Sequence, residues 1–286
     1  MTAKPCKYQD IGKRSQDLFV KNFTLGAVKF NLKSQSQAGS GFIIEAFNEI
    51  ESGKVMGSGE FKNAFPGTNM NMSSKWFSDN TISTEVTIND KLFPGSRLGL
   101  LGKFDPKGGN MAGGVQAEYK NEFMLGVVEA SLTGDGKPML SPSFVFTSDG
   151  WLAGMHCYVD PNSRKVDQPQ FTAGYETGNY SAFGLLNQRN ELMGSLYQKV
   201  SSTLETGILV KFPYGKAKET TFQYALNWAL DGSHRLQMKI NTRGQISAAV
   251  SKNFGSGISI SLCGHLEGKN IKAGAHKIGM GIEMEL

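Results

Sequence analysis

A period of two dominates the hydrophobic pattern from residue 27 to the last residue of the chain. In residues 222–230, large apolar side chains alternate with small or polar ones, and residues 278–286 alternate in the same way. Such alternation is typical of β-strands with one apolar and one polar face. Runs rich in glycine, proline, aspartate and serine, as at 92–96 and 147–150, separate the apolar segments and predict tight turns. The pattern therefore predicts an all-β region of many short strands.

Residues 5–20 depart from this pattern, because their apolar positions recur at helical spacing. We expect one short amphipathic helix there, followed by a connector that ends at Gly26. The chain then divides into a helix and connector at 1–26 and a β-region at 27–286. One side of the predicted helix carries Tyr8, Ile11, Ser15, Leu18 and Phe19, and the other carries Lys13, Arg14 and Asp17.

The β-region fits two classes of protein, a transmembrane barrel and a water-soluble β-barrel. Spanning helices are excluded, since no run approaches the roughly 18–20 consecutive apolar residues that one requires. A mean hydropathy of -0.28 suits a barrel, whose strands turn every second side chain toward water. Charged or small residues stand on almost every polar face, and the strand units recur evenly. These two features favour a transmembrane barrel with a wet lumen.

Candidate chemistry is sparse, so we expect no enzyme, no cofactor and no metal site. The three cysteines are widely spaced and the four histidines fall in separate segments. Neither a phosphate-binding loop nor a dinucleotide fingerprint is present, and nothing indicates nucleic acid as a partner. Lysine and arginine exceed aspartate and glutamate by 30 to 25, a mild excess. The first residues lack the apolar core of a secretory signal, which argues against the secretory route.

Several segments resemble one known family over essentially the full chain, the eukaryotic mitochondrial porins or voltage-dependent anion channels. They are YQDIGKRSQDLFVK at 8–21, KWFSDNTISTEVTIND at 75–90, GWLAGM at 150–155, GSLYQKVSSTLETG at 194–207 and LEGKNIKAGAHKIGMGIEMEL at 266–286. The family signature near the C-terminus is degenerate here, which indicates a divergent paralogue.

The resemblance implies a fold, a location and an activity. It implies a transmembrane β-barrel of 19 strands with parallel first and last strands; this number comes from the family and not from the periodicity. It also implies that the helix lies inside the lumen, with Ile11 near Leu152. The expected function is a voltage-gated, weakly anion-selective channel of the mitochondrial outer membrane. Expected solutes are ions, ATP, ADP and phosphate.

Candidate site residues follow partly from the resemblance and partly from the alternation. By resemblance, the nucleotide-contacting residues are Lys13, Lys21, Gln245, Ile246, Ser247, Cys263, Gly264, His265, Leu266 and Glu267. Cations expected to face the lumen, in addition to Lys13 and Lys21, are Arg14, Lys29, Lys33, Lys62, Lys239 and Lys252. The connector expected to govern gating is Lys21, Asn22, Phe23, Thr24, Leu25 and Gly26, in which only Gly26 has the backbone freedom of glycine. The sorting signal of the last strand maps to Lys277, Gly279, Ile282 and Met284.

Expected partners are the lipids of the outer membrane, the solutes in transit and cytosolic docking proteins. Many family members carry a lipid-facing glutamate before a Lys-Trp pair, whereas Ser74 precedes Lys75 and Trp76 here. Hexokinase-type docking is therefore doubtful for this chain. Two alternatives stay open: a poorly conducting barrel that acts as a scaffold for cytosolic partners, and a soluble β-barrel carrier.

Overall fold

A closed sheet forms the body of the molecule. The computed structural model describes residues 4–36, 39–65, 67–132, 136–162, 165–187, 191–213, 220–269 and 276–286. Within these residues there are 19 strands, each antiparallel to its neighbours in chain order, and β1 also pairs in parallel with β19. The expected 19-stranded barrel with a parallel closure is confirmed. The strands are β1 Ala27–Gln35, β2 Gly41–Glu49, β3 Val55–Phe65, β4 Met70–Phe77, β5 Ile82–Asn89, β6 Ser96–Asp105, β7 Asn110–Lys120, β8 Met124–Leu132, β9 Pro138–Ser148, β10 Trp151–Asp160, β11 Lys165–Glu176, β12 Tyr180–Leu186, β13 Glu191–Lys199, β14 Leu204–Pro213, β15 Thr221–Ala229, β16 His234–Asn241, β17 Gln245–Asn253, β18 Ile258–Glu267 and β19 Lys277–Glu285.

The two faces of the sheet differ in chemistry as the alternation predicts. On β15, Tyr224 pairs with Ile208 on β14 and with Ile240 on β16, so an apolar row crosses three strands. One residue along, Ala225 lies between Gly207 and Lys239 and faces the opposite way. Apolar residues such as Trp76 and Leu262 are 60% and 59% exposed on the outer face. A lipid-facing wall requires this exposed apolar surface.

Turn residues close the hairpins where the sequence predicts them. Asp149 and Gly150 link β9 to β10 with φ values of 48° and 89°. Positive φ at both central residues is the geometry of a type I′ turn, whose twist matches that of the flanking strands. Asp-Gly at this position therefore fixes the register of the hairpin, in which Trp151 pairs with Ser148.

The helical region is shorter than the sequence indicates. A 3-10 turn occupies Tyr8–Asp10 and an α-helix, α1, begins only at Lys13 and ends at Val20. The expectation of one continuous helix over 5–20 is wrong because Gly12 adopts a left-handed conformation, with φ 70°, between the two pieces. No helix within the described part of the chain has the length and apolar character needed to cross a bilayer.

Candidate functional site

The N-terminal segment docks on the inner wall through a first apolar cluster. Tyr8 and Ile11 pack with Val145, Leu152 and Phe183, and all five side chains are buried. The Tyr8 hydroxyl also hydrogen-bonds the Thr172 hydroxyl at 2.9 Å, so the phenol is satisfied inside the barrel. Ile11 and Leu152 share this cluster, as the resemblance implies. The 3-10 turn is therefore fixed to the wall at β9 to β12.

Helix α1 docks through a second cluster, on β13 to β15. Leu18 and Phe19 pack with Tyr197 and Ala225. Gly207 makes room for the helix, because a methyl group on it would lie 2.8 Å from Leu18 Cδ1. Since the strand positions that touch α1 belong to the polar face of the sheet, the helix lies inside the barrel. The expected location of the helix in the lumen is confirmed.

The polar side of α1 faces the open lumen. Arg14 extends to the β11–β12 turn, where its guanidinium lies 3.4 Å from the Glu176 carboxylate and donates to the carbonyl of Thr177 at 3.1 Å. Lys13 pairs with Asp10 at 3.3 Å, and Lys21 is exposed at the end of the helix. The helix thus presents cations to the water-filled side while its apolar side is held on the wall.

Three cations of the wall form ion pairs with nearby carboxylates, one within a strand, one between adjacent strands and one across an intervening strand. Distances between charged atoms of 3.1 to 3.5 Å join three such pairs, and the register turns all of these residues inward. Pairing reduces the net field in the lumen, since each cation is offset locally. The pairs are Lys75 with Glu45, Lys62 with Glu60 and Arg97 with Glu85.

The connector between α1 and β1 is bound to the wall along its length. Asn22 donates to the Gln237 side-chain oxygen at 2.9 Å, and the Phe23 ring centroid lies 4.1 Å from Lys239 Nζ. The amide of Gly26 donates to the carbonyl of Ile278 at 3.0 Å. Asn22 is left-handed at φ 67°, like Gly26 at φ 72°. Asparagine tolerates the left-handed region, so the connector takes this conformation at Asn22 without a glycine.

Cys6 and Asp231 are among the titratable groups outside the spanning strands that have shifted pKa values. Partial burial against the first cluster raises the pKa of the Cys6 thiol, and the nearby Asp10 and Glu176 carboxylates raise it further. Backbone amides of Ser233 and His234 donate to Asp231 and hold the pKa of that carboxyl well below its usual range. Asp231 therefore stays ionised through neutral and mildly acidic pH, and the Cys6 thiol stays neutral.

Comparison with known proteins gives one family throughout. The family profile described as "Eukaryotic porin" matches residues 4–279. The chain is 34% identical over 285 residues to the "Non-selective voltage-gated ion channel VDAC2" of Xenopus laevis, covering 99% of this chain and 100% of the relative. It is 32% identical over 281 residues to the "Voltage-dependent anion-selective channel" of Drosophila melanogaster, with 98% and 99% covered.

The chain belongs to the eukaryotic porin family. It is a β-barrel of the mitochondrial outer membrane, as the sequence resemblance implies. A further relative, the "Non-selective voltage-gated ion channel VDAC1" of Rattus norvegicus, is 32% identical over 285 residues, and 99% of each chain is covered.

The residues of this porin expected to contact nucleotides do not all face the lumen. Consecutive residues in this set cannot all face the lumen, because successive residues of a strand point to opposite sides. Ile246 pairs with Ile240 and Leu266 within the outward row, and Gly264 pairs with the outward Ala248 and Ile278. A lumen contact through the side chains of Ile246 or Leu266 is therefore ruled out. The inward members are Gln245, Ser247, Cys263, His265 and Glu267.

These inward residues contact one another across β17 and β18. Gln245 donates to the Glu267 carboxylate at 3.0 Å, and the Ser247 hydroxyl lies 2.9 Å from His265 Nδ1. They form a polar strip of the wall. Lys13 and Lys21 lie on the helix side of the lumen and not in this strip.

The strand register also shows which of the expected lumen cations face inward and which face outward. Lys29, Lys33, Lys62 and Lys239 lie on the inner face. Lys252 is the exception, since it pairs with Ile260 on the outward row. It sits near the end of β17 with its ammonium 5.2 Å from the Phe254 ring centroid, a position from which lysine reaches the membrane surface. The expectation that Lys252 charges the lumen is wrong.

The four residues expected to form the sorting signal lie on both faces of β19. Ile282 and Met284 point outward, beside Phe30 and Leu32 of β1, whereas Gly279 faces inward. Lys277, the first residue of β19, also faces inward, and its ammonium lies 3.2 Å from the Glu51 carboxylate.

Glycine in the connector is expected to loosen the docked helix. Asn22→Gly removes the bond to Gln237, a loss of about 0.5–1.5 kcal/mol, and combining it with Thr24→Gly adds backbone freedom. If helix motion contributes to closure, the conductance–voltage curve of the double variant shifts toward lower voltage. Ser256→Gly, in the exposed β17–β18 turn, is the control. Curves that coincide for all three proteins would show that the connector does not control closure.

Proposed function

We propose that this porin is a voltage-gated, weakly anion-selective channel that passes ions and small metabolites. The observation that carries the proposal is the contrast between the two faces of the closed sheet. The outer face is apolar, whereas the inner face carries charged pairs such as Lys75 with Glu45, and the helix is packed against one side of it. Conduction requires such a polar lumen with weak, distributed contacts. Relatives named as voltage-gated channels support the voltage dependence.

ATP, ADP and phosphate are the proposed metabolites. A cavity of about 340 Å³ lies between α1 and the wall, and four of the side chains around it are cations. Asp17 and Glu205 line the same cavity, so the net charge is modest. A modest positive field attracts phosphates without holding them, because exposed ammonium groups act as hydrated point charges. The four cations are Arg14, Lys21, Lys199 and Arg235.

Efflux from proteoliposomes tests metabolite passage. Vesicles with reconstituted protein are loaded with ATP and with a dextran too large for a barrel of this size. We expect the protein to release ATP and retain dextran, while protein-free vesicles retain both. Retention of ATP by vesicles that contain correctly inserted barrels would contradict the proposal and favour the scaffold alternative.

Weak anion selectivity is expected in the high-conductance state. The chain carries a formal charge of +5, and inward lysines such as Lys29 and Lys33 contribute to it, but the ion pairs of the wall offset much of the field. The reversal potential across a KCl gradient measures the preference. It should shrink at high salt, because the Debye length falls from about 10 Å at 0.1 M to about 3 Å at 1 M. A firm cation preference at 0.1 M would contradict the charge assignment.

A further inference from the structure

Lys239 of β16 is half-buried and contacts the end of helix α1. Its ammonium donates to the carbonyl of Phe19 at 2.7 Å and lies 4.1 Å from the centre of the Phe23 ring. Because α1 ends at Val20, the carbonyl of Phe19 is one of the last four, which lack a partner within the helix. A cation at this end also complements the helix dipole. One lysine thus caps the helix and covers an aromatic ring of the connector.

A second side chain on the same strand binds the same segment. Gln237, two residues before Lys239, is 3% exposed and accepts the hydrogen bond from Asn22. Residues two apart on a strand share a face, so both side chains point at the segment from the wall. Asn22 can present its amide there because its backbone is left-handed. Two consecutive inward positions of β16 therefore hold the junction between helix and connector.

The backbone of β19 contacts the backbone of the connector directly. A methyl group on Gly279 would overlap the Thr24 carbonyl oxygen and would lie 2.9 Å from the Ala27 carbonyl oxygen. Glycine therefore permits the backbone of the connector to rest directly on β19. The hydrogen bond from Gly26 to Ile278 lies beside this contact. The connector is thus bound to the wall and is not free to act as a hinge.

The contacts of the half-buried Lys239 distinguish it from the exposed Lys33. Lys33 is exposed to the lumen and has no ion pair among the described residues, so its charge acts on passing ions. The ammonium of Lys239 is enclosed between a carbonyl and a ring of the N-terminal segment. Its charge is engaged locally while the helix is docked. The two lysines should therefore have different effects on selectivity and on closure.

We propose that Lys239 is a positioning residue that latches the end of helix α1 to β16, and that release of this latch limits voltage-dependent closure. The closure part rests on the proposed channel function. The latch itself does not, because helix docking can be measured without any current. The cation-assisted hydrogen bond and the ring contact both disappear when the helix leaves the wall.

Lys239→Met, Lys239→Arg and Lys33→Met distinguish the latch from a general charge effect. Lys239→Met keeps the apolar stem and removes the ammonium, and Lys239→Arg retains a donor and a cation. Hydrogen exchange of residues 13–26 should become about tenfold faster in Lys239→Met and stay near the natural rate in the other two. In bilayers, the ratio of closed to open states at a fixed voltage should rise about tenfold in Lys239→Met alone. Lys33→Met should reduce anion preference without this shift.

Each contrary result has a distinct meaning. Unchanged exchange in Lys239→Met, with the barrel folded by its resistance to protease, would overturn the latch. Faster exchange with an unchanged closed-to-open ratio would overturn the claim that the latch limits closure. If the natural protein passed no current in bilayers, the proposed channel function would be contradicted. Hydrogen exchange of residues 13–26 would still decide whether the latch exists.

Discussion

Ser74→Glu is expected to create a carbodiimide-reactive carboxylate on the lipid-facing wall, where the natural chain has none at this position. Ser74 lies in the outward row between Phe61 and Thr84, and its hydroxyl is 3.4 Å from that of Thr84. The two hydroxyls satisfy each other, so serine is tolerated in lipid. A carboxylate there has no such partner and costs free energy, which is why ionisable groups in the bilayer usually serve a function.

Ser73→Glu is the matched control, because Ser73 is the preceding residue and faces the lumen, where it donates to Glu60 at 2.7 Å. A hydrophobic carbodiimide should label Ser74→Glu and leave the natural protein and Ser73→Glu unlabelled at these positions. Co-sedimentation with a hexokinase-type protein should be weak for the natural porin and stronger for Ser74→Glu. Strong binding by the natural porin that is indifferent to the substitution would defeat the idea that this position governs docking.

Leu18→Asp is expected to release helix α1 from the wall. Leu18 is 3% exposed and packs with Tyr197 and Ala225, so aspartate would bury a carboxylate among apolar groups. Such burial costs several kcal/mol, and undocking avoids the cost. Because the barrel itself does not need the helix to close its sheet, the strands should remain protected. Hydrogen exchange should therefore become much faster in residues 13–20 and stay slow in the strands.

Val20→Asp on the same helix is the control for this change. Val20 is 72% exposed to the lumen, so a carboxylate there remains hydrated and the helix should stay docked. Equal exchange in the two variants would contradict the assignment of the Leu18 side as the docking surface.

The periodicity of the sequence predicted the faces of the strands but not the extent of the helix. On β15 the outward row is the one that the alternation indicates. The break at Gly12 was missed, because apolar spacing alone does not show that the chain turns left-handed beside Phe183. Strand number and parallel closure came from the family, since pairing of β1 with β19 joins residues at opposite ends of the chain.

The site residues that were missed depend on contacts across strands. Lys75 bonds Glu45, which is 30 residues away on β2, across the intervening β3. No local pattern encodes such a pair. The alternation placed Lys239 correctly on the inner face of the sheet. Its partner on α1, Phe19, is however 220 residues away in the sequence. The misplacement of Lys252 has a simpler cause, because strict alternation on β17 already puts it on the side of Val250.

Planar-bilayer recording of the refolded protein tests the central claim, that this barrel is a voltage-gated channel. We predict stepwise insertions of large conductance near zero voltage, with a fall to lower conductance as the voltage rises. The inner wall that carries Lys75, Glu45 and Arg97 supplies the polar path for this current. Protein that inserts into the bilayer, shown by its protection from protease, and that passes no current would contradict the account.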